Sequence, residues 1–444
     1  MVDETEIVAK KPANGWEPYK TYVLGILLVI FTFNFIDRQI IAILSPAIKE
    51  DLGLNDTQLG FLKGFAFAIF YASFGIPLAR LADRHNRVTI ISVSLAFWSA
   101  MTALCGLAAN FTQLAIARIG VGVGEAGCTP PAHAILSDYF SREQRATALG
   151  IYSLGIPIGT VFGFLAGGWM VGTLGWRWAF ILVGLPGIFL AILAKLTVKE
   201  IKRGSADLDV GSENISNESS TSTQSFSTWL NLKVLWKIKS FRILSIGAAL
   251  SSFSGYALSM WIVDFLVRTF DLSIGEVTVP LAITLGIGGG LGTACGGFVS
   301  DHFAAKDERS IFTLPAVAHA LGVPLLAIVI WTQSALFAFV LLFPFYVLTT
   351  SVTGPYFSLV QNLAPFHMRA FASAIFLFIL NAIGFGLGPL FVGMMSDVLE
   401  PSLGDTLSLQ WALTAILPVY LASSAVMLFG RLSIKKDLGV ADKG

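Results

Sequence analysis

Twelve stretches of predominantly apolar residues recur along the chain. They are centred near residues 34, 70, 98, 124, 158 and 188, and again near 254, 286, 320, 347, 382 and 420. About 20 such residues suffice for a helix to cross ~30 Å of hydrocarbon, so each stretch predicts one transmembrane helix. The backbone inside a bilayer must satisfy its own hydrogen bonds, and long uninterrupted apolar runs do so as helices. The predicted fold class is an all-α membrane protein of twelve transmembrane helices. Between the two sets of six, residues 199–240 are rich in Ser, Asn and acidic side chains that no hydrocarbon core accepts. The predicted organisation is a tail over 1–20, a six-helix bundle over 21–198, a linker over 199–240, a second six-helix bundle over 241–432 and a tail over 433–444.

Composition agrees. Of 444 residues 55% are hydrophobic and 13% charged, about half the ~25% charged share of soluble domains. So little charge leaves too much apolar surface for a soluble enzyme. No basic run interleaved with aromatics points to nucleic acid. Cys105, Cys128 and Cys295 lie in apolar stretches, are odd in number and form no disulfide framework. The opening residues MVDETEIVAKKPANGWEPYK lack the apolar core of a secretory signal, so this segment is expected to be retained.

Orientation follows from Lys and Arg, which stay in the cytoplasm. An even number of spans with both termini cytoplasmic leaves only Lys49, Lys63, Arg177 and Arg268 in external segments and Arg38 and Arg118 inside the membrane. A multi-pass protein of the cell (inner) membrane is expected. The linker ends in WLNLKVLWKIKSFR, where Trp229, Leu232, Leu235 and Trp236 fall near helical spacing among Lys233, Lys237 and Lys239. This reads either as a helix lying on the cytoplasmic leaflet or as a short solvated helix.

The two sets of six echo one another. ARLADRHNRV after the second span is matched by GGFVSDHF after the eighth, and SREQRATALG before the fifth by FHMRAFASA before the eleventh, which puts Arg145 and Arg369 in equivalent places. An offset of about 220 residues argues for a duplicated six-helix unit. Here the chain resembles the major facilitator superfamily, whose loop between helices 2 and 3 has the pattern G-x-L-a-D-r-x-G-r. Leu81, Asp83, Arg84 and Arg87 match it, while Ala79 and Asn86 replace the two glycines. Arg118, Gly122 and Gly124 resemble the R-x-x-x-G-x-G pattern of the fourth span, and LGWRWAF is another shared element. FIDRQIIAIL, GVGEAGCTPPA and FSREQRA narrow the resemblance to the spinster family and its short bacterial members. It implies two pseudo-symmetric six-helix bundles, alternating access, and transport of lysophospholipids or phosphorylated sphingoid bases, in some members coupled to protons.

Ionisable groups in hydrocarbon cost ~2.5–3.5 kcal/mol each on insertion scales, so they usually face a cavity and pair. Asp37, Arg38, Arg118 and Glu125 are such groups. Arg118 and Glu125 are seven apart and share one helix face, with Gly122 between them. Asp37 and Arg38 are adjacent and diverge by ~100°. The economical arrangement answers each carboxylate with an arginine from the other helix. A static charge cluster that orients helices is the bland alternative. In the functional reading Asp37 and Glu125 take up protons, freeing Arg38 and Arg118 to bind an anionic head group.

The second bundle lacks an acid or arginine near mid-membrane, which predicts an apolar or aromatic wall opposite the charged one. Asp264 and Arg268, at i and i+4, read as a surface ion pair at the external end of the seventh span or, less simply, as a gate. Gly155, Gly159, Gly163 and Gly167 form a stripe suited to close helix packing. His133 and His319 read as hydrogen-bonded structure more readily than as proton relays. Asp83, Arg84, Arg87, Asp138 and Arg145, with Arg142, gather at the cytoplasmic rim, either as topogenic charge or, as the superfamily resemblance implies, as a latch holding that side closed.

No grouping has metal-ligand spacing, the glycines at 288–290 lack the chemistry of a phosphate loop, and no nucleophile and base pair is recognisable, so no cofactor, metal or enzymatic activity is expected. The expected protein is a monomeric secondary transporter of an anionic amphiphile among membrane lipids. The alternatives are a proton-coupled carrier of a small organic anion and a transporter-like ligand sensor without net flux.

Overall fold

The computed structural model describes residues 17–203, 205, 228–365 and 368–439, and these are helical throughout with no β-strand. Ten helical segments are long and apolar enough to cross a membrane. In chain order they include span 1 (Pro18–Leu52), span 2 (Asp56–Arg84), span 3 (Arg87–Cys105), span 5 (Glu143–Leu174) and span 6 (Trp176–Thr197). In the second half come span 7 (Lys239–Phe270), span 8 (Ile274–Ala304), span 9 (Ser310–Trp331) and span 10 (Ala335–Leu363). Two features reconcile ten with the twelve expected. Span 4 is divided into Phe111–Glu125 and Thr129–Tyr139, each too short alone. Phe371–Gly430 is long enough to cross twice and turns at Gly404, whose φ of 80° suits glycine, making spans 11 and 12.

Local sequence sets the ends. Pro18 starts span 1 where its missing N–H costs nothing, and Gly53, at φ 61°, ends it with its N–H on the Lys49 carbonyl. Asn55 and Gln58 make a reciprocal capping box at the start of span 2, while Asn86 and Asn110 cap spans 3 and 4. The linker expected over 199–240 lies mostly outside the described residues. Its last part is a helix, Thr228–Lys237, with Leu235 buried and Val234 and Trp236 exposed; the side chain of Trp229 lies outside the described residues.

The glycine stripe of span 5 does what its spacing implies. A Cβ on Gly155 would stand 2.9 Å from the Phe31 ring, and one on Gly159 2.6 Å from the Thr32 carbonyl and from Phe35 Cβ. A Cβ on Gly167 would stand 2.9 Å from the end of Ile40, while one on Gly163 would make ordinary contact with Gln39 and Ile36 at 3.4 and 3.5 Å. Spans 1 and 5 therefore touch almost backbone to backbone. The two halves also meet closely where Gly60 faces the Pro389 carbonyl of span 11 and Gly286 of span 8 faces Val161 of span 5. Three of these contact helices carry a π-helical turn, at Phe61–Phe65, Ala282–Gly288 and Leu380–Leu387. Such wider turns recur at functional positions in helical proteins.

Candidate functional site

Between the halves lies a cavity of about 480 Å³. From the first half Phe31, Phe35, Arg38, Gln39 and Tyr71 line it; from the second come Tyr256, Tyr346, Tyr356 and Tyr420 with Ser251, Ser252, Ser259, Thr349, Thr353 and Asn381. The opposite wall is thus aromatic, as the sequence predicts, but it also carries a dense set of hydroxyls. Those hydroxyls escape a hydropathy reading because Ser and Thr can bond back to their own helix, as Thr349 does to the Phe345 carbonyl at 2.9 Å and Ser259 to that of Tyr256 at 3.4 Å; Ser252 instead donates across to the Leu380 carbonyl of span 11 at 3.1 Å.

Arg38 supplies the charge on the cavity wall. Its Nε donates to Glu125 Oε2 at 2.8 Å, and its side chain is 11% exposed while that of Glu125 is fully buried. The rings of Tyr71, Phe67 and Phe35 surround the guanidinium, with centroids 4.6, 5.1 and 5.2 Å from its central carbon. Deeper in the bundle, Arg118 Nη1 donates to Asp37 Oδ1 at 3.2 Å, and the Thr102 hydroxyl donates to Asp37 Oδ2. Both residues of that pair are buried and neither lines the cavity.

Each carboxylate therefore answers the arginine of the other helix, the arrangement expected from spacing. The space beside Gly122 is not left open, because the Phe67 backbone fills it. The Phe67 ring also lies 5.6 Å from the Arg118 guanidinium, so one aromatic side chain is shared by both arginines. Nothing in the sequence marks Phe67 out from the other phenylalanines. The site keeps unspent hydrogen-bonding capacity: Glu125 Oε1, Arg118 Nε and Nη2 and both amide atoms of Asn34, one turn before Arg38, are buried without a protein partner.

At the face bearing the chain ends, Tyr19 donates to the Thr197 carbonyl at 2.8 Å and Asp437 accepts from the Ser240 N–H at 2.7 Å. Arg87 is the hub of the charge cluster there. It binds Asp138, Glu200 at 2.6 Å and the Ile201 carbonyl at 3.1 Å, while Arg145 donates to the Ser137 carbonyl at 2.6 Å. Arg203 donates to the backbone carbonyls of Asp83 and, at 2.8 Å, Ala82. The side chains of Asp83 and Arg84 are exposed, and no ion pair joins either to that cluster among the described residues. Of the five rim residues, the structure thus gathers Arg87, Asp138 and Arg145. Glu200 belongs with them and was hidden by its place in a polar linker.

The opposite face corrects two expectations. Lys63 does not lie in an external segment: span 2 begins at Asp56, and Lys63 sits about two turns inside it, fully buried, with Nζ 2.5 Å from Asp264 Oδ2. Asp264 and Arg268 are not a surface pair. Asp264 is fully buried, and Arg268 turns away from it to grip Asp56 through two 2.7 Å bonds. A positive residue near a predicted helix end reads as an external residue unless its counter-ion, here 201 positions away, is known.

His319 is buried between the Ser251 and Ser423 hydroxyls at 2.9 and 3.3 Å, consistent with the structural reading. His133 is exposed and stands edge-on to the Tyr152 ring.

A family model of the Major Facilitator Superfamily matches residues 27–389. The chain belongs to the Major Facilitator Superfamily and within it is related to the spinster proteins. A solved bacterial homologue of the human lysosomal transporter Spinster, in an inward-facing and unoccupied conformation, superposes with a TM-score of 0.85 at 30% identity, over 95% of this chain and 99% of that one. An MFS-type efflux pump of Mycolicibacterium smegmatis is 33% identical over 88% of this chain and 87% of its own. The sphingosine-1-phosphate transporter SPNS2 of Xenopus tropicalis is 26% identical over 99% of this chain and 87% of its own. The protein is accordingly a multi-pass membrane transporter and not an enzyme.

Proposed function

We propose that this transporter moves an anionic amphiphile, resembling a lysophospholipid or a sphingosine phosphate, by alternating access coupled to protons. The carrying observation is Arg38: a guanidinium on the wall of an otherwise uncharged aromatic cavity, held by a carboxylate sealed behind it. Bound to Glu125, Arg38 has part of its charge neutralised. Protonating Glu125 removes that counter-charge and leaves the guanidinium free to take a phosphate in its place. Asp37 stands in the same relation to Arg118 one layer deeper, so its protonation releases the second arginine toward the same head group. The aromatic walls receive the chain of the amphiphile. Kinship with a sphingosine-1-phosphate transporter supports the same reading.

In this proposal both termini are cytoplasmic, the protein works as a monomer in the inner membrane, and the cavity belongs to the inward-facing state. Asp83, Arg84, Arg87, Asp138 and Arg145 form the latch of that side: Arg87 and Asp138 stay paired within the first half, and the exposed Asp83 and Arg84 engage when that side closes. The hydroxyls of the second half favour a second reading, a small polyhydroxylated organic anion. Competition decides between them: proteoliposomes take up a labelled lysophospholipid, and an excess of sugar acid leaves that uptake unchanged. Displacement by the sugar acid, with no lipid uptake, selects the second reading. Saturable binding without accumulation of either selects a sensor.

A further inference from the structure

The face of the cavity away from the chain termini is closed by charge as well as by packing. Three ion pairs cross from one half to the other: Lys49 to Asp405 at 2.7 Å, Asp56 to Arg268 at 2.7 Å and Lys63 to Asp264 at 2.5 Å. The third differs from the other two. Both its side chains are fully buried, the Lys63 ammonium lies 3.6 Å from the centre of a Trp261 ring, and Asp264 Oδ2 also accepts from the Ser45 hydroxyl at 2.8 Å. Asp264 Oδ1 is buried with no hydrogen-bond partner, and Arg268 Nη2 lies 3.9 Å from it.

We infer that Asp264 is a protonation site that governs closure of this face, separate from Asp37 and Glu125 and independent of the cargo. Alternating access requires the halves to part here, which exposes Lys63 and Asp264 to water. Closing with both charged rebuilds the pair. Closing with Asp264 protonated, its proton on the free Oδ1, buries the Lys63 ammonium against Trp261 and Ser45 without a counter-ion, which is strongly unfavourable. Acid on this face therefore holds it open. The other charges facing the pair do not substitute for it: Arg268, on the same helix as Asp264, is held by Asp56 and lies 3.3 Å from Asp405, while Lys49 is shared between Asp56 and Asp405.

The sign of the pH response tests this. Nitroxide labels at Leu107→Cys and Gln333→Cys, in the loops after spans 3 and 9, report separation of the halves by electron–electron distance measurement in liposomes without cargo. The exposed Cys295 is replaced by serine, and Glu125→Gln silences that site. Between about pH 7 and about pH 3.5, a range that crosses ordinary carboxylate titration, the separated population of this parent rises several-fold. Asp264→Asn is open at both ends of the range. Lys63→Gln inverts the response, because it buries a lone carboxylate at high pH and a neutral pair at low pH, so it closes on acidification. Lys63→Gln with Asp264→Asn is closed and insensitive to pH, which also establishes that the substituted protein folds. A Lys63→Gln variant that opens on acidification as its parent does, or an Asp264→Asn variant that keeps the parental response, overturns the inference while leaving the proposal for Arg38 untouched.

Discussion

Arg38 and Glu125 share a 2.8 Å ion pair in which the base reaches the cavity and the acid does not. The asymmetry gives the acid control over the base: any change in the charge of Glu125 is felt in the cavity only through what Arg38 is free to bind.

Glu125→Gln preserves shape while fixing the neutral state. Binding of an anionic amphiphile to wild-type protein is expected to weaken as pH rises, because deprotonated Glu125 recaptures Arg38. Binding to Glu125→Gln should vary with pH much less than wild type, keeping only the part that Asp37 supplies, and should be tighter than wild type at the high-pH end. Titration calorimetry in detergent at several pH values checks this. Arg38→Ala should lose roughly tenfold or more in affinity, since charge-assisted hydrogen bonds contribute ~1.5–3 kcal/mol each.

The inner pair is expected to matter more for stability. Arg118→Leu leaves Asp37 buried with only the Thr102 hydroxyl as partner, and removing one member of a buried pair costs about 3–5 kcal/mol. The thermal midpoint in detergent should fall by several degrees, and Asp37→Asn in the same chain should recover part of the loss.

Gly159→Leu drives a side chain into the Thr32 carbonyl and Phe35, 2.6 Å from where its Cβ would stand. Overpacking of this kind costs roughly 1–3 kcal/mol or more. Because span 1 also carries Asp37 and Arg38, lower yield of folded protein and weakened binding should appear together, whereas Gly172→Leu, with open space around it, should show neither.

Arg87→Ala removes the hub that ties Asp138 and Glu200 together, and limited proteolysis after residue 198 should accelerate while the transmembrane bundles stay intact. Equal cleavage rates in variant and wild type would mean that the segment is held by its other contacts, those of Arg203, Tyr139, Tyr19 and Ser205.

Much of this architecture was legible before any coordinates. The all-helical membrane fold, the glycine stripe against span 1 and the crossed pairing of Asp37 and Glu125 follow from periodicity and from the cost of burying charge. Three things were not legible, each because its partner is remote in sequence. Lys63 reads as an external lysine until span 2 is seen to start at Asp56 and to meet Asp264. Phe67 gains its place between two arginines only through the packing of span 2 on Gly122. The hydroxyls of the second half count as weakly polar in a hydropathy scan, yet the fold collects them on one wall.

The most direct test of the central claim is uptake of a labelled lysophospholipid into proteoliposomes under an imposed pH gradient, comparing wild type with Glu125→Gln and Arg38→Ala. The account predicts gradient-dependent uptake by wild type, its loss in Arg38→Ala, and in Glu125→Gln slow uptake with a much smaller response to the gradient, the part that Asp37 supplies. Wild-type uptake that ignores the gradient, or a gradient response that is undiminished in Glu125→Gln, would contradict it.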